Sequence, residues 1–88
     1  MKKEHELKTW IEFYQEVLDG KKRFEIRKND RDFQVGDTLR LREYVFLTGE
    51  YTGRWCVFNV TYMLKDGFGL ERGFCILSLS DLIDCSGG

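Results

Sequence analysis

The chain has 88 residues, 42% hydrophobic and 15% aromatic, enough for one small domain in which most of the sequence must contribute to the core. Its formal net charge is -1, so attraction to a polyanion cannot come from the chain as a whole and has to be local. Three cysteines without a Cys-x-x-Cys pair, and a single histidine, argue against a disulfide framework and a zinc site.

No stretch reads as a signal peptide or a membrane span. The expectation is a reduced, cytoplasmic protein of one domain over residues 1–88, a monomer or weak homodimer, with no metal and no cofactor.

His5 to Lys8 is too short to classify by pattern. Thr9 can cap a helix, with Glu12 completing a capping box, and Trp10, Phe13, Tyr14, Val17 and Leu18 fall on one helical stripe. This predicts an amphipathic helix over about Trp10 to Asp19, with Trp10 and Tyr14 in the core. Gly20 stands where a left-handed terminating residue is wanted.

Beyond it, Arg23 to Arg27 alternates as a strand. Phe24 and Ile26 are expected to face a core, while Arg23, Glu25 and Arg27 share the opposite face about 7 Å apart. From Lys21 to Asp32 six basic residues stand against three acids, a local charge of +3. Strict alternation puts Lys22 opposite Glu25, so Lys22 can join that site only from the turn leaving Gly20.

Asn29 to Asp32 reads as a polar loop and Val35-Gly36-Asp37 as a tight turn. Thr38 to Val45 is a half-buried strand in which Glu43 breaks parity, as a bulge or as a rim charge. Phe46 to Gly53 is a loop presenting Tyr51 and Thr52. Arg54 to Leu64 is the longest strand candidate, with Cys56, Phe58, Val60, Tyr62 and Leu64 on one face. Phe74 to Leu79 is apolar on both faces and belongs inside a sheet, and the tail from about residue 81 is expected to fray. Pattern alone gives an α+β chain dominated by strands: a curved, mostly antiparallel sheet with one main helix near the N-terminus.

Gly20, Lys22, Glu25 and Arg27 fit Gly-x-Lys-x-x-Glu-x-Arg, and with this motif the chain resembles the ASCH domains. His5 to Lys8, Arg27 to Arg31, Val35-Gly36-Asp37 and Tyr51-Thr52-Gly53 extend the likeness to a small phage and bacterial subfamily. The resemblance implies a PUA-like open β-barrel of about five strands and a cleft that binds RNA or a nucleotide. Lys8, Lys22, Arg23, Glu25, Arg27, Asn29, Arg31 and Tyr51 are its candidate binding residues. Arginine and lysine would meet phosphates, Tyr51 or Trp55 would stack a splayed base, and Glu25 would accept from an amino group or orient the arginines.

Some ASCH proteins resemble amidohydrolases of modified nucleosides, with a threonine nucleophile where this chain has Glu25. Here hydrolysis would need Glu25 to activate water, assisted by Lys22. A third alternative is a protein-interaction module of the phage type. His5 reads as a surface or capping residue, although the likeness places it with Lys8 beside the cleft.

Overall fold

A computed structural model describes residues 2–87. The elements are β1 (Glu4–Trp10), α1 (Ile11–Leu18), β2 (Phe24–Lys28), β3 (Thr38–Val45), β4 (Glu50–Lys65), β5 (Phe74–Leu79) and β6 (Asp84–Cys85). They form a 6-stranded sheet in the order β1-β3-β4-β5-β2, with β6 beside β4. The chain is thus strand-dominated α+β with one helix, as its patterning predicts. The sheet has six strands rather than about five, and it is not closed into a barrel.

The segment too short to classify is part of β1. Its side chains alternate, with His5, Leu7 and Thr9 buried and Glu4, Glu6, Lys8 and Trp10 outward. It runs parallel to β3, from Glu4 opposite Thr38 to Trp10 opposite Tyr44. Thr9 is therefore a strand residue and not a helix cap. A seven-residue ladder outweighs the single bond that a capping hydroxyl supplies, and α1 starts after Trp10 with no side-chain cap.

The expected helical stripe also divides. Tyr14 and Val17 are buried, whereas Trp10 and Phe13 are 44% and 46% exposed. The helix leaves an end strand of the sheet, so only a narrow sector of it reaches the core. Its far end is as expected: Gly20 has φ 76. The Gly20 N–H donates to Val17 O at 3.1 Å and the Lys21 N–H to Glu16 O at 2.9 Å, a Schellman closure.

The core is a single cluster that includes Leu7, Tyr14, Val17, Phe33, Leu39, Leu41, Phe58, Val60, Leu77 and Leu79. β4 is long because it pairs with β3 through its first half and with β5 through its second, with β6 added beside Cys56 and Val57. A register shift between Val60 and Tyr62 lies between the halves. One extra residue there inverts the pleat, so Tyr62, expected inside, is 61% exposed, and Met63 packs on the core. A second shift, between Arg42 and Tyr44, puts extra residues on β4 around Thr52 to Arg54, so Glu43 keeps the inward phase of Leu39 and Leu41 and is buried opposite that bulge. β5 lies inside the sheet order, between β4 and β2. The tail is tied down, with the Ile83 N–H donating to Val57 O and the Ser86 N–H to Trp55 O, both at 2.9 Å. Gly88, the last residue of the expected frayed tail, lies outside the described residues.

Asp37 locks the turn before β3. Its carboxylate is fully buried and accepts from the Lys3 N–H at 3.0 Å, the Gln34 N–H at 3.0 Å and His5 Nε2 at 2.8 Å. Because an ionised carboxylate only accepts, the proton between them sits on Nε2. His5 also packs edge-on against Phe33, with ring centroids 4.7 Å apart. It is a buried tie between β1 and the turn, neither a surface residue nor a neighbour of the cleft described below.

Two stability predictions follow from these contacts. Gly20→Ala adds a Cβ that meets only Arg23 Nη1, at 3.8 Å, so its cost comes from the left-handed backbone alone. Urea denaturation should show a loss of about 1 kcal/mol. At Asp37, burial acts to raise the pKa, but the His5 bond and the Lys3 and Gln34 N–H groups outweigh it and hold the carboxyl below its ordinary 3.8. Its contribution is therefore complete above that value and lost as pH falls through the lower folded one. Asp37→Asn turns an amide N–H₂ toward converging donors. It should cost about 2 to 3 kcal/mol at pH 7 and flatten the acid limb of the stability curve.

Candidate functional site

β2 is inverted relative to its hydrophobic pattern. Glu25 faces inward and is only 3% exposed, while Phe24 and Ile26 point outward at 41% and 54%. The inversion is possible because the carboxylate is met on both oxygens. Arg27 grips Oε1 through Nε at 3.0 Å and Nη2 at 2.8 Å, and Lys22 Nζ donates to Oε2 at 3.0 Å. Lys22 achieves this from the turn before β2, as its place in the motif requires, and spends a second proton on Phe24 O at 2.8 Å. Without these partners a buried carboxylate would be prohibitive, and the apolar pair would turn inward instead.

The three charges lie at the bottom of a cleft of about 400 Å³ between β1 and β2. Its walls are Lys8, Thr9 and Trp10 of β1, Phe13 of α1, and Lys22 with Phe24 to Arg27 on the other side. Lys22 Nζ is 4.7 Å from the Phe24 ring centroid and 5.8 Å from that of Phe13. Trp10 stacks on Phe13 at 6.3 Å and meets Phe46 at 5.2 Å. The Thr9 hydroxyl is buried and has no hydrogen-bond partner among the described residues.

β1 and β2 are the two ends of the strand order, and arginine side chains span the gap between them. Arg27 Nη2 donates to Lys8 O and Arg31 Nη1 to Glu6 O, the latter at 2.7 Å. Both acceptors are outward-facing carbonyls of the unpaired edge of β1.

Of the residues proposed from sequence, Lys8, Lys22, Glu25 and Arg27 line the cleft. Arg23 does not; it pairs with Asp81 at 3.0 Å, beside a smaller hollow of about 190 Å³ under the end of α1. Asn29 is a turn brace whose Oδ1 accepts from the Phe33 N–H at 3.0 Å. Arg31 holds β1 from outside, and Tyr51 lies on the outer face of the sheet under Arg42, 3.8 Å from ring centroid to Cζ. Thr9, Trp10, Phe13, Phe24 and Ile26 are cleft residues that pattern reading assigns to a cap or to the core. The charged–buried alternation from Glu4 to Thr9 was the available signal for Thr9, because it marks a strand running to the cleft.

Neither fully buried cysteine is available as a nucleophile. Burial pushes the Cys56 thiol up to about 11 and raises that of Cys75 as well, so both stay protonated near neutrality. Among the described residues no group of three or more His, Cys, Asp and Glu could hold a metal ion, and no helix is long and apolar enough to cross a membrane.

Comparison with known proteins adds two findings. The family model for the Domain of unknown function (DUF3850) matches residues 4–79. The chain is also 50% identical over 54 residues to the Uncharacterized 12.9 kDa protein in GpA 3'region of Escherichia phage P2. That match covers 61% of this chain and 48% of the phage protein, about half of the relative's length.

The ion trio is testable by a double-mutant cycle. Arg27→Met leaves Glu25 buried with one cation and should cost about 3 kcal/mol. Glu25→Met combined with Arg27→Met should be less damaging than Arg27→Met alone in chemical denaturation. A double variant as unstable as the sum of the singles would mean that the two ions are not coupled.

Proposed function

The chain belongs to the DUF3850 family, and we propose that it is a PUA-like, ASCH-type module that binds RNA or a nucleotide in the cleft between β1 and β2. The observation that carries this reading is the set of hydrogen-bonding positions left unspent beneath an aromatic rim. Lys22 uses two of its three N–H donors. Arg27 donates through Nε and Nη2, and Nη1 has no partner among the described residues. Glu25 Oε2 accepts only from Lys22 there, which leaves a lone pair, and the Thr9 hydroxyl is unpaired.

A mixed group of donors and acceptors at the bottom of an apolar-walled cleft suits the polar edge of a heterocycle, and two cations beside it suit a phosphate. Trp10 and Phe13 are placed to cover the flat face of such a ring. Glu25 accepts from an exocyclic amino group, and Arg27 offers its free Nη1 to a base edge or a phosphate. A strand order whose end strands flank the cleft supports the open-barrel assignment.

The test is binding of ribonucleoside monophosphates and of a short single-stranded RNA across a salt series, with Trp10→Ala and Arg27→Lys beside the parent. Trp10 is half exposed, so its removal leaves the core intact. RNA affinity should fall with salt at a log–log slope of about -2 to -3, three or four phosphate contacts, and Trp10→Ala should weaken binding about tenfold. Failure of the folded parent to bind either probe, or indifference to both substitutions, overturns the reading. Mass spectrometry of recovered ligand reads the hydrolase alternative: a mass change produced by the parent and lost in Glu25→Gln would replace binding with catalysis.

A further inference from the structure

The outer face of the sheet, on the far side of β1, β3 and β4 from the core, carries three cations set over three aromatic rings. Arg40 Cζ is 4.4 Å from the Trp55 ring centroid, Arg42 Cζ is 3.8 Å from that of Tyr51, and Lys8 Nζ is 4.7 Å from that of Tyr44. Tyr44 and Tyr51 themselves meet edge to face at 5.2 Å.

From this arrangement we propose a second binding surface, a platform for the nucleotides that flank the one in the cleft, its partner being single-stranded RNA. The proposal rests on the cleft reading only in taking both sites to share one strand.

Internal stability accounts poorly for this face. Exposed cation–ring contacts contribute on the order of one favourable interaction of low strength each, and exposed ion pairs less. Glu4 lies 3.7 Å from Arg40 and Glu6 3.6 Å from Arg42, outside hydrogen-bond reach. None of the three cations spends a side-chain donor on any described residue. Lys8, Arg40 and Arg42 therefore keep side-chain N–H groups for phosphate oxygens, with Glu4 and Glu6 holding the two arginines only in loose ion pairs. A guanidinium is itself a planar group, and bases stack on that plane as they do on an aromatic ring.

Position supports a shared strand. Side chains at i and i+2 on β3 put Arg40, Arg42 and Tyr44 about 7 Å apart in a row. The row runs toward Lys8 and Trp10, which belong to the cleft wall. A single strand leaving the cleft past Trp10 meets Lys8 first and the arginines next. The charge and the stacking planes lie along one line, which suits a flexible strand better than a globular partner.

The experiment compares a ribonucleoside monophosphate with an RNA octamer, using the whole chain, the double variant Arg40→Gln/Arg42→Gln, Tyr51→Ala and Arg42→Lys. Thermal melts confirm that each is folded. The octamer should show a salt slope steeper than that of the mononucleotide by about 2, the release expected for three added phosphate contacts. The double variant and Tyr51→Ala should each weaken the octamer about tenfold and leave the mononucleotide unchanged. Arg42→Lys keeps the charge and loses the plate, so a weakening there assigns the contact to stacking.

If the octamer is indifferent to all platform variants while Trp10→Ala still weakens it, the platform is overturned and the cleft stands. If the octamer binds through the platform residues while the mononucleotide does not bind, the cleft reading fails and the platform stands. Competition by an acidic peptide as effective as that by RNA overturns the assignment to a single strand.

Discussion

A carboxylate taken out of water is tolerable only where opposite charge and hydrogen bonds meet it on every side, and Glu25 sets that condition for this chain. Lys22 must wait in the turn after Gly20, which fixes where α1 stops. Arg27 must share a face with Glu25, which fixes the pleat of β2 and sends Phe24 and Ile26 outward. Those two residues, with Phe13 and Trp10, then surround the charges with apolar surface. One compensated ion therefore determines the end of the helix, the facing of a strand and the character of the cleft.

The second organising element is the gap between β1 and β2. A sheet edge leaves carbonyls without partners, and on β1 those of Glu6 and Lys8 accept from Arg31 and Arg27. Side chains do there what a further strand would otherwise do, and the space they leave is the cleft. Arg27 thus links the polar floor to the wall opposite, so occupancy of the cleft and the spacing of its walls bear on the same guanidinium.

How much of this was readable in the sequence depended on whether the deciding force was local. Gly20 was legible because a left-handed helix end demands a residue without a Cβ. The octapeptide around Glu25 was legible as a charged strand because short-range alternation carries it, and Phe74 to Leu79 as an interior one because it is apolar on both faces. The inward turn of Glu25 was not, since apolar residues normally face the core and only the two cations reverse that preference. β1 was faint because Leu7 is the one strongly apolar residue on its inner face, with His5 and Thr9 completing it. Nothing near Tyr62 announces the extra residue that flips the second half of β4, because a bulge is chosen by the two neighbours that β4 must satisfy. β6 is too short for any period to show. Lys22, Glu25 and Arg27 were found together by motif, whereas the aromatic rim had been spent on an imagined core.

The strand order has a temporal side. All residues that line the cleft precede Lys28, yet among the described residues β2 has no ladder partner other than β5, and β1 none other than β3. On a ribosome, a nascent chain arrested before Phe74 would carry every residue of the cleft and no cleft. The two walls approach each other only after the intervening strands have paired in turn, so the site is built early in synthesis and assembled late in folding.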